Sequence, residues 1–297
     1  MLAQEDRIAR AESRPRVVLI PLYWLASVIF LHFAESGPAL AAEPTERPRI
    51  VGFLPVVSTE RLVRRFEPLV DFLADEIGVP VVLETAPNYA EFVRRTHEDQ
   101  RYDYLFTAPH FYFVAQRKAG YRVVARVDGE LLRSVIVVRR DSDISQPRDL
   151  CGKTIATPDP LALVTVMVRR RLIQAGCDPD RESTLSATPS HNAALYAAYR
   201  GATQAAGLGT IPFARAEATV REGMRVVAET EGTPNMPFSV APWISDEEAT
   251  RLADALVGLS TNGERPGLLQ HLGWRGFAKA VPEDYDLFAD YAEILLE

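Results

Sequence analysis

The feature that most constrains this chain is an alternation. From Arg49 onward, short apolar runs of strand length alternate with longer stretches of helical period. Residues 50–54 form the first run. Ser58 or Thr59 then caps a helix to about residue 77, with Leu62, Phe66, Leu69, Leu73 and Ile77 on one face and Gly78 as its stop. Residues 79–84 are the next strand. Asn88 and Glu91 have the spacing of a capping box, and a helix follows. Residues 102–106 are a strand, Pro109 takes the first position of a helix ending at Gly120, and 121–127 are again a strand. Strands that alternate with helices imply parallel sheets with helices on their faces.

A strongly β-prone run at 134–139 marks a restart. Strands are expected at 152–157, 184–187, 202–208 and 225–229, with helices at about 161–175 and 192–200 between them. Residues 235–242 are extended and proline-flanked, suited to lead back to the first half. The rest reads as helical: 246–259, an irregular piece at 263–276, and 285–296. At 297 residues the chain is long enough for two lobes of roughly 100 to 150 residues. The expected architecture is α/β and two-lobed, each lobe a mainly parallel sheet with flanking helices, joined by a two-strand hinge. Lobe 1 would comprise 48–133 and 239–297, and lobe 2 would comprise 134–238. A ligand would sit between the lobes at the carboxyl ends of the strands.

The N-terminal stretch has its own signature. Arg14 and Arg16 precede an apolar run at 17–33, and Ala39-Leu40-Ala41 supplies small residues at a cleavage spacing. That is the pattern of a secretory signal peptide over 1–41, cleaved after Ala41. The alternative is an uncleaved anchor; the run is short for one and Pro21 interrupts it. The two cysteines, Cys151 and Cys177, lie in the part that would be exported, where a disulfide is permitted. Cys151 precedes a strand and Cys177 follows the returning helix, which brings both to one side of the sheet. Two free buried thiols are the alternative.

Catalytic and metal readings find little. The five histidines show no paired zinc spacing. Neither a Gly-x-Ser-x-Gly turn nor a Walker loop is present. No catalytic residue, metal or cofactor is therefore expected. A net charge of −7 argues against a nucleic-acid partner. It leaves room for a small anion, because anion sites are built from local dipoles. The strand-end loops each open a helix, and helix starts attract anions. On those loops Ser58, Thr59, Tyr89, Thr107, His110, Thr157, Ser190 and His191 are the candidate ligand contacts.

The chain resembles the phosphate, phosphite and phosphonate periplasmic binding proteins of ABC transporters from about residue 50 to its end. The likeness rests on Val51-Gly52-Phe53-Leu54-Pro55, Arg65-Phe66-Glu67-Pro68-Leu69, Asn88-Tyr89-Ala90 and Asp103-Tyr104-Leu105-Phe106-Thr107-Ala108-Pro109. It continues in Arg133-Ser134-Val135-Ile136-Val137-Val138, Asp149-Leu150-Cys151-Gly152-Lys153, Ser190-His191-Asn192-Ala193-Ala194 and Asn235-Met236-Pro237. The resemblance implies a type II binding protein that closes by hinge motion near 132–134 and 234–238. It implies that Tyr89 and His191 match ligand-contacting positions. The implied partner is an ABC permease or, in sensing relatives, a membrane histidine kinase; a monomer is the expected state. Two positions depart from the family. Its Ser- and Thr-rich helix start is replaced by Pro158-Asp159-Pro160-Leu161-Ala162-Leu163, and Gln204 stands where an aspartate is usual. The ligand expected is thus a phosphonate- or phosphite-like oxyanion or another small acid.

Overall fold

In the computed structural model, residues 47–179, 181–260 and 265–291 are described. The leader expected at 1–41 and the end of the expected last helix lie outside them. Among the described residues no helix is long and apolar enough to cross a membrane.

The first half runs β1 (Arg49–Phe53), α1 (Thr59–Ile77), β2 (Val81–Glu84), α2 (Tyr89–His97), β3 (Tyr104–Phe106), α3 (Pro109–Ala119) and β4 (Arg122–Val127). After β5 (Ser134–Arg139) come β6 (Thr154–Thr157), α4 (Leu163–Gln174), β7 (Thr184–Ala187), α5 (His191–Tyr199), β8 (Ala205–Gly209), α6 (Thr210–Ala214), α7 (Ala218–Glu222) and β9 (Met224–Glu229). The chain then returns through β10 (Pro237–Val240), α8 (Asp246–Gly258), α9 (Pro266–Leu272) and β11 (Phe277–Ala278).

Two sheets result, in the orders β11-β4-β10-β3-β1-β2 and β7-β6-β8-β5-β9. Their α/β cores are parallel: β1 pairs with β2 and β3, and β6 pairs with β7 and β8. Each sheet also takes up crossing strands antiparallel. β10 lies between β3 and β4, and β5 lies between β8 and β9. The two chain crossings run side by side, tied by Leu132 N–H to Thr233 O at 2.8 Å and Thr233 N–H to Leu132 O at 3.0 Å.

Local sequence explains the elements. The five apolar residues read on one face of α1 are all buried. Pro68 inside α1 removes the donor that would reach Arg64 O, as proline must. His271, at the end of α9, supplies the missing bond from Nε2 at 3.1 Å. Asn88 caps α2, its Oδ1 accepting from Glu91 N–H at 2.8 Å. The small residues of β8 allow close helix packing: a Cβ on Gly207 would lie 2.6 Å from Val168 of α4.

Three differences from the sequence reading have simple causes. The expected helix from 285 is a 3-10 stretch, Pro282–Tyr291, whose Tyr285 and Phe288 are fully buried. Residues 209–223 contain α6 and α7, each five residues long and too short to show a period. The strand expected at 202–208 begins later, at Ala205. The structure also sets Cys151 and Cys177 against each other as a disulfide pair, Cα atoms 5.6 Å apart, at the amino end of β6.

The lobe 1 sheet makes one tight demand. A Cβ on Gly52 of β1 would lie 2.5 Å from the ring of Tyr102, which is fully buried. Gly52→Ala is expected to cost about 1–3 kcal/mol through overpacking. Urea unfolding of wild type and variant checks this; an unchanged midpoint would mean the Tyr102 ring yields freely.

Candidate functional site

A cleft of about 690 Å³ opens where the carboxyl ends of the two sheets face each other. One wall carries Leu54 at the end of β1, Tyr89 of α2, and residues 108–111 at the start of α3. The other carries residues 162–164 at the start of α4, His191 of α5, and residues 209–212 after β8. The paired crossings form the back, with Arg133 and Asn235 among their contributions.

Helix starts set the electrostatics. α2 and α5 have side-chain caps: Asn88 accepts from Glu91 N–H, and Ser190 Oγ accepts from Ala193 N–H at 3.1 Å. α3 and α4 have alanine at the cap, Ala108 and Ala162, which offers no side-chain acceptor. The amides of His110 and Phe111 in α3, and of Leu163 and Val164 in α4, are first-turn groups without a helical acceptor. All four residues line the cleft, one pair from each lobe. Both helices thus present uncapped positive ends to one space.

Tyr89 and His191 flank that space. Tyr89 is half-buried, stands edge-on to Phe111 with ring centroids 5.8 Å apart, and packs against the cores of both lobes. Burial first, then nearby Asp159, hold its hydroxyl in the protonated form by raising its pKa. His191 Nδ1 accepts from Gly209 N–H at 3.3 Å. The neutral ring therefore carries its proton on Nε2, as a donor. Burial lowers the His191 pKa, which favours that neutral form.

His110 crosses between lobes. Its Nε2 lies 2.9 Å from Leu161 O, and a carbonyl only accepts, so Nε2 is the donor. The side chain is fully buried, and burial pulls its pKa down to about 4. Its Nδ1 has no hydrogen-bond partner among the described residues.

Of the eight residues expected from sequence, the cleft lining includes Tyr89, His110 and His191. Ser58 and Thr59 are exposed at the start of α1. Thr107 and Thr157 are buried, at 0% and 1% exposure, and neither lines the cleft. The Ser190 hydroxyl is occupied with capping. Gln204, which stands where the family usually has an aspartate, precedes β8, so it sits at the amino end, and its Oε1 accepts from Thr154 N–H at 3.0 Å. The cleft end of that strand is Gly209, five residues on. Asp159, in the altered loop, is exposed and turns its Oδ1 onto Leu161 N–H at 2.8 Å. Sequence reasoning missed Arg215, Trp274 and Arg275 on the cleft wall. Nothing in their local spacing marks them.

Two α/β lobes on paired crossings, with a cleft at the strand ends, define a two-lobed solute-binding protein of the periplasmic type. The chain belongs to the family of periplasmic substrate-binding proteins of phosphonate ABC transporters, which matches residues 51–285. The family is one of binding proteins rather than enzymes. A binding-protein component of a phosphonate ABC transporter from Pseudomonas aeruginosa is 19% identical, with 84% of this chain and 87% of that one covered and a TM-score of 0.67. PhnD1 of Prochlorococcus marinus in complex with methylphosphonate is 16% identical, covering 84% and 99%, with a TM-score of 0.69. A Xanthomonas citri protein bound to ATP is 16% identical, covering 84% and 96%, with a TM-score of 0.72. At these identities the likeness is one of fold.

Buried neutral histidines make stability depend on pH. Unfolded histidine titrates near 6.5, while His110 and His97 are each held at about 4 by burial. The unfolded chain takes up protons first, so stability present above pH 6.5 is lost on acidification. His110 alone should account for roughly 2 to 3 kcal/mol between pH 6.5 and 4.5. Denaturant titrations across that window should show the fall, and His110→Gln should flatten it. Equal slopes in variant and wild type would mean that His110 is already protonated or solvated in the fold.

Proposed function

We propose that this protein captures a small anion in the inter-lobe cleft and delivers it to an ABC-transporter permease. The anion is a phosphonate- or phosphite-like oxyanion or another small acid. One observation carries the reading: the uncapped starts of α3 and α4, which both line the cleft, come from opposite lobes. An anion between them would satisfy amides from both halves at once, so binding would favour closure.

In this reading Tyr89 donates its hydroxyl and His191 its Nε2–H to the anion, while His110 holds the α3 start against Leu161. The moving bodies would be 48–133 with 239–297, and 134–238, turning about the crossings. Export through the leader at 1–41 would place the protein in the periplasm as a monomer. The Asp159 carboxylate is compatible with an anion nearby, since it accepts from Leu161 N–H and is exposed.

Thermal shift with phosphate, phosphite, methylphosphonate, sulfate, small sulfonates and carboxylates tests the reading. A ligand at about 100 times its Kd should add roughly 2.7 kcal/mol and raise Tm by several degrees. Tyr89→Phe and His191→Ala should each weaken binding roughly ten- to a hundredfold, the range for a hydrogen bond to a charged group. A folded protein whose Tm no anion moves would refute the reading.

A further inference from the structure

The cleft is larger than an inorganic oxyanion needs. Its volume of about 690 Å³ falls among sites for drug-sized ligands. Beyond the helix starts, its wall carries the apolar Leu54, Leu132, Met167, Met236 and Trp274 beside the charged Asp128, Glu130, Arg133, Arg215 and Arg275. Trp274 is held in place by Phe66 and Phe106, with ring centroids at 5.8 and 5.5 Å, and lines the cleft with Met236.

The rim is apolar as well. Val56, Leu131 and Ile211 line the cleft and remain 48%, 48% and 54% exposed. They come from the loop after β1, the first crossing and the start of α6. Three large aliphatic side chains from three remote segments thus line one cleft while still meeting water. Clustered exposed apolar surface of this kind marks a binding surface. The charges beside it are partly neutralised: Arg133 pairs with Glu229 at 3.5 Å, and Arg275 with Asp128 at 3.9 Å.

We propose that the ligand is an amphiphilic organic acid: an anionic head at the two helix starts and an alkyl or aryl body against Trp274, Met236 and the Val56–Leu131–Ile211 rim. The assignment rests on the anion reading above and deepens it. Each methylene taken from water onto this wall should strengthen binding about fourfold, the equivalent of the ~0.8 kcal/mol for a buried methylene.

Calorimetry on the purified protein decides it, using methyl-, butyl-, hexyl- and phenylphosphonate, hexanoate, hexanesulfonate and 1-hexanol. The expected result is a butyl-to-methyl affinity ratio of roughly sixty, with 1-hexanol far weaker than the hexyl acids. The double substitution Leu131→Ser with Ile211→Ser should collapse that ratio. Both positions are exposed, so the fold should survive. Val226→Ser, also exposed but outside the cleft lining, should leave the ratio as it is. Methylphosphonate binding with no gain along the series would overturn the apolar body and leave the anion reading standing. Binding of 1-hexanol as tight as that of the hexyl acids would overturn the head. A ratio unchanged in the double variant would overturn the assignment of the rim. Failure of every acid to bind a folded protein would overturn the anion reading and this inference together.

Discussion

The structure depends on where β10 goes. The first sheet is not finished when the chain leaves it at Val127; a gap between β3 and β4 is filled only after the second sheet has been built. Phe238, at the centre of β10, is fully buried and packs beside Tyr104 and Phe106. Its register with both neighbours fixes Pro237 to Val240 in the sheet. The return crossing must therefore run next to the outgoing one, and the Leu132–Thr233 bridge is the consequence. Two adjacent extended segments can flex while the sheets they join stay whole. The constraint that completes one core thus also makes the hinge and places the cleft at the strand ends.

In the proposed reading, that placement explains how an acidic chain can present a site for an anion. The net charge is −7, yet the cleft-facing helix starts owe their field to backbone dipoles. Alanine at both caps matters here. A serine or aspartate at 108 or 162 would accept from the first-turn amides and use up the donors. Where such a cap is present, in α2 and α5, the helix brings a side chain to the cleft instead: Tyr89 and His191 are each the first residue of their helix. The division of labour is physical. In the proposed function, capped helices would contribute a side-chain donor and uncapped ones main-chain donors.

Much of this was legible in the sequence. The α1 stripe ending in Gly78, Pro109 at a helix start and the Asn88 cap are local signals, and local chemistry decided each. What the sequence did not show was non-local. Thr107 and Thr157 have the hydroxyls of ligand contacts, but burial at a strand end is set by the helices packed over it. The start of β8 was also hard to place, because its sequence Ala-Ala-Gly-Leu-Gly has no alternation to mark its ends, and Gln204 falls before it rather than inside it. Arg215 and Trp274 reach the cleft only because the hinge folds segments together that the sequence holds apart.

The same atoms that line the cleft also join the lobes, and this bears on how closure is driven. Tyr89 belongs to the first sheet's lobe yet packs on both cores, and His110 of α3 donates to Leu161 O of the opposite lobe. Met167 of α4 packs in one cluster with Tyr112 of α3 and with Tyr285 and Phe288 of the last 3-10 stretch. These contacts join the two lobes without any ligand. A ligand then shifts the population only by what it gains in the closed form over the open one. Uncapped amides on both sides are suited to that, because an anion meets both sets only when the lobes are together. One helix start alone would bind the anion in either state and would drive no closure.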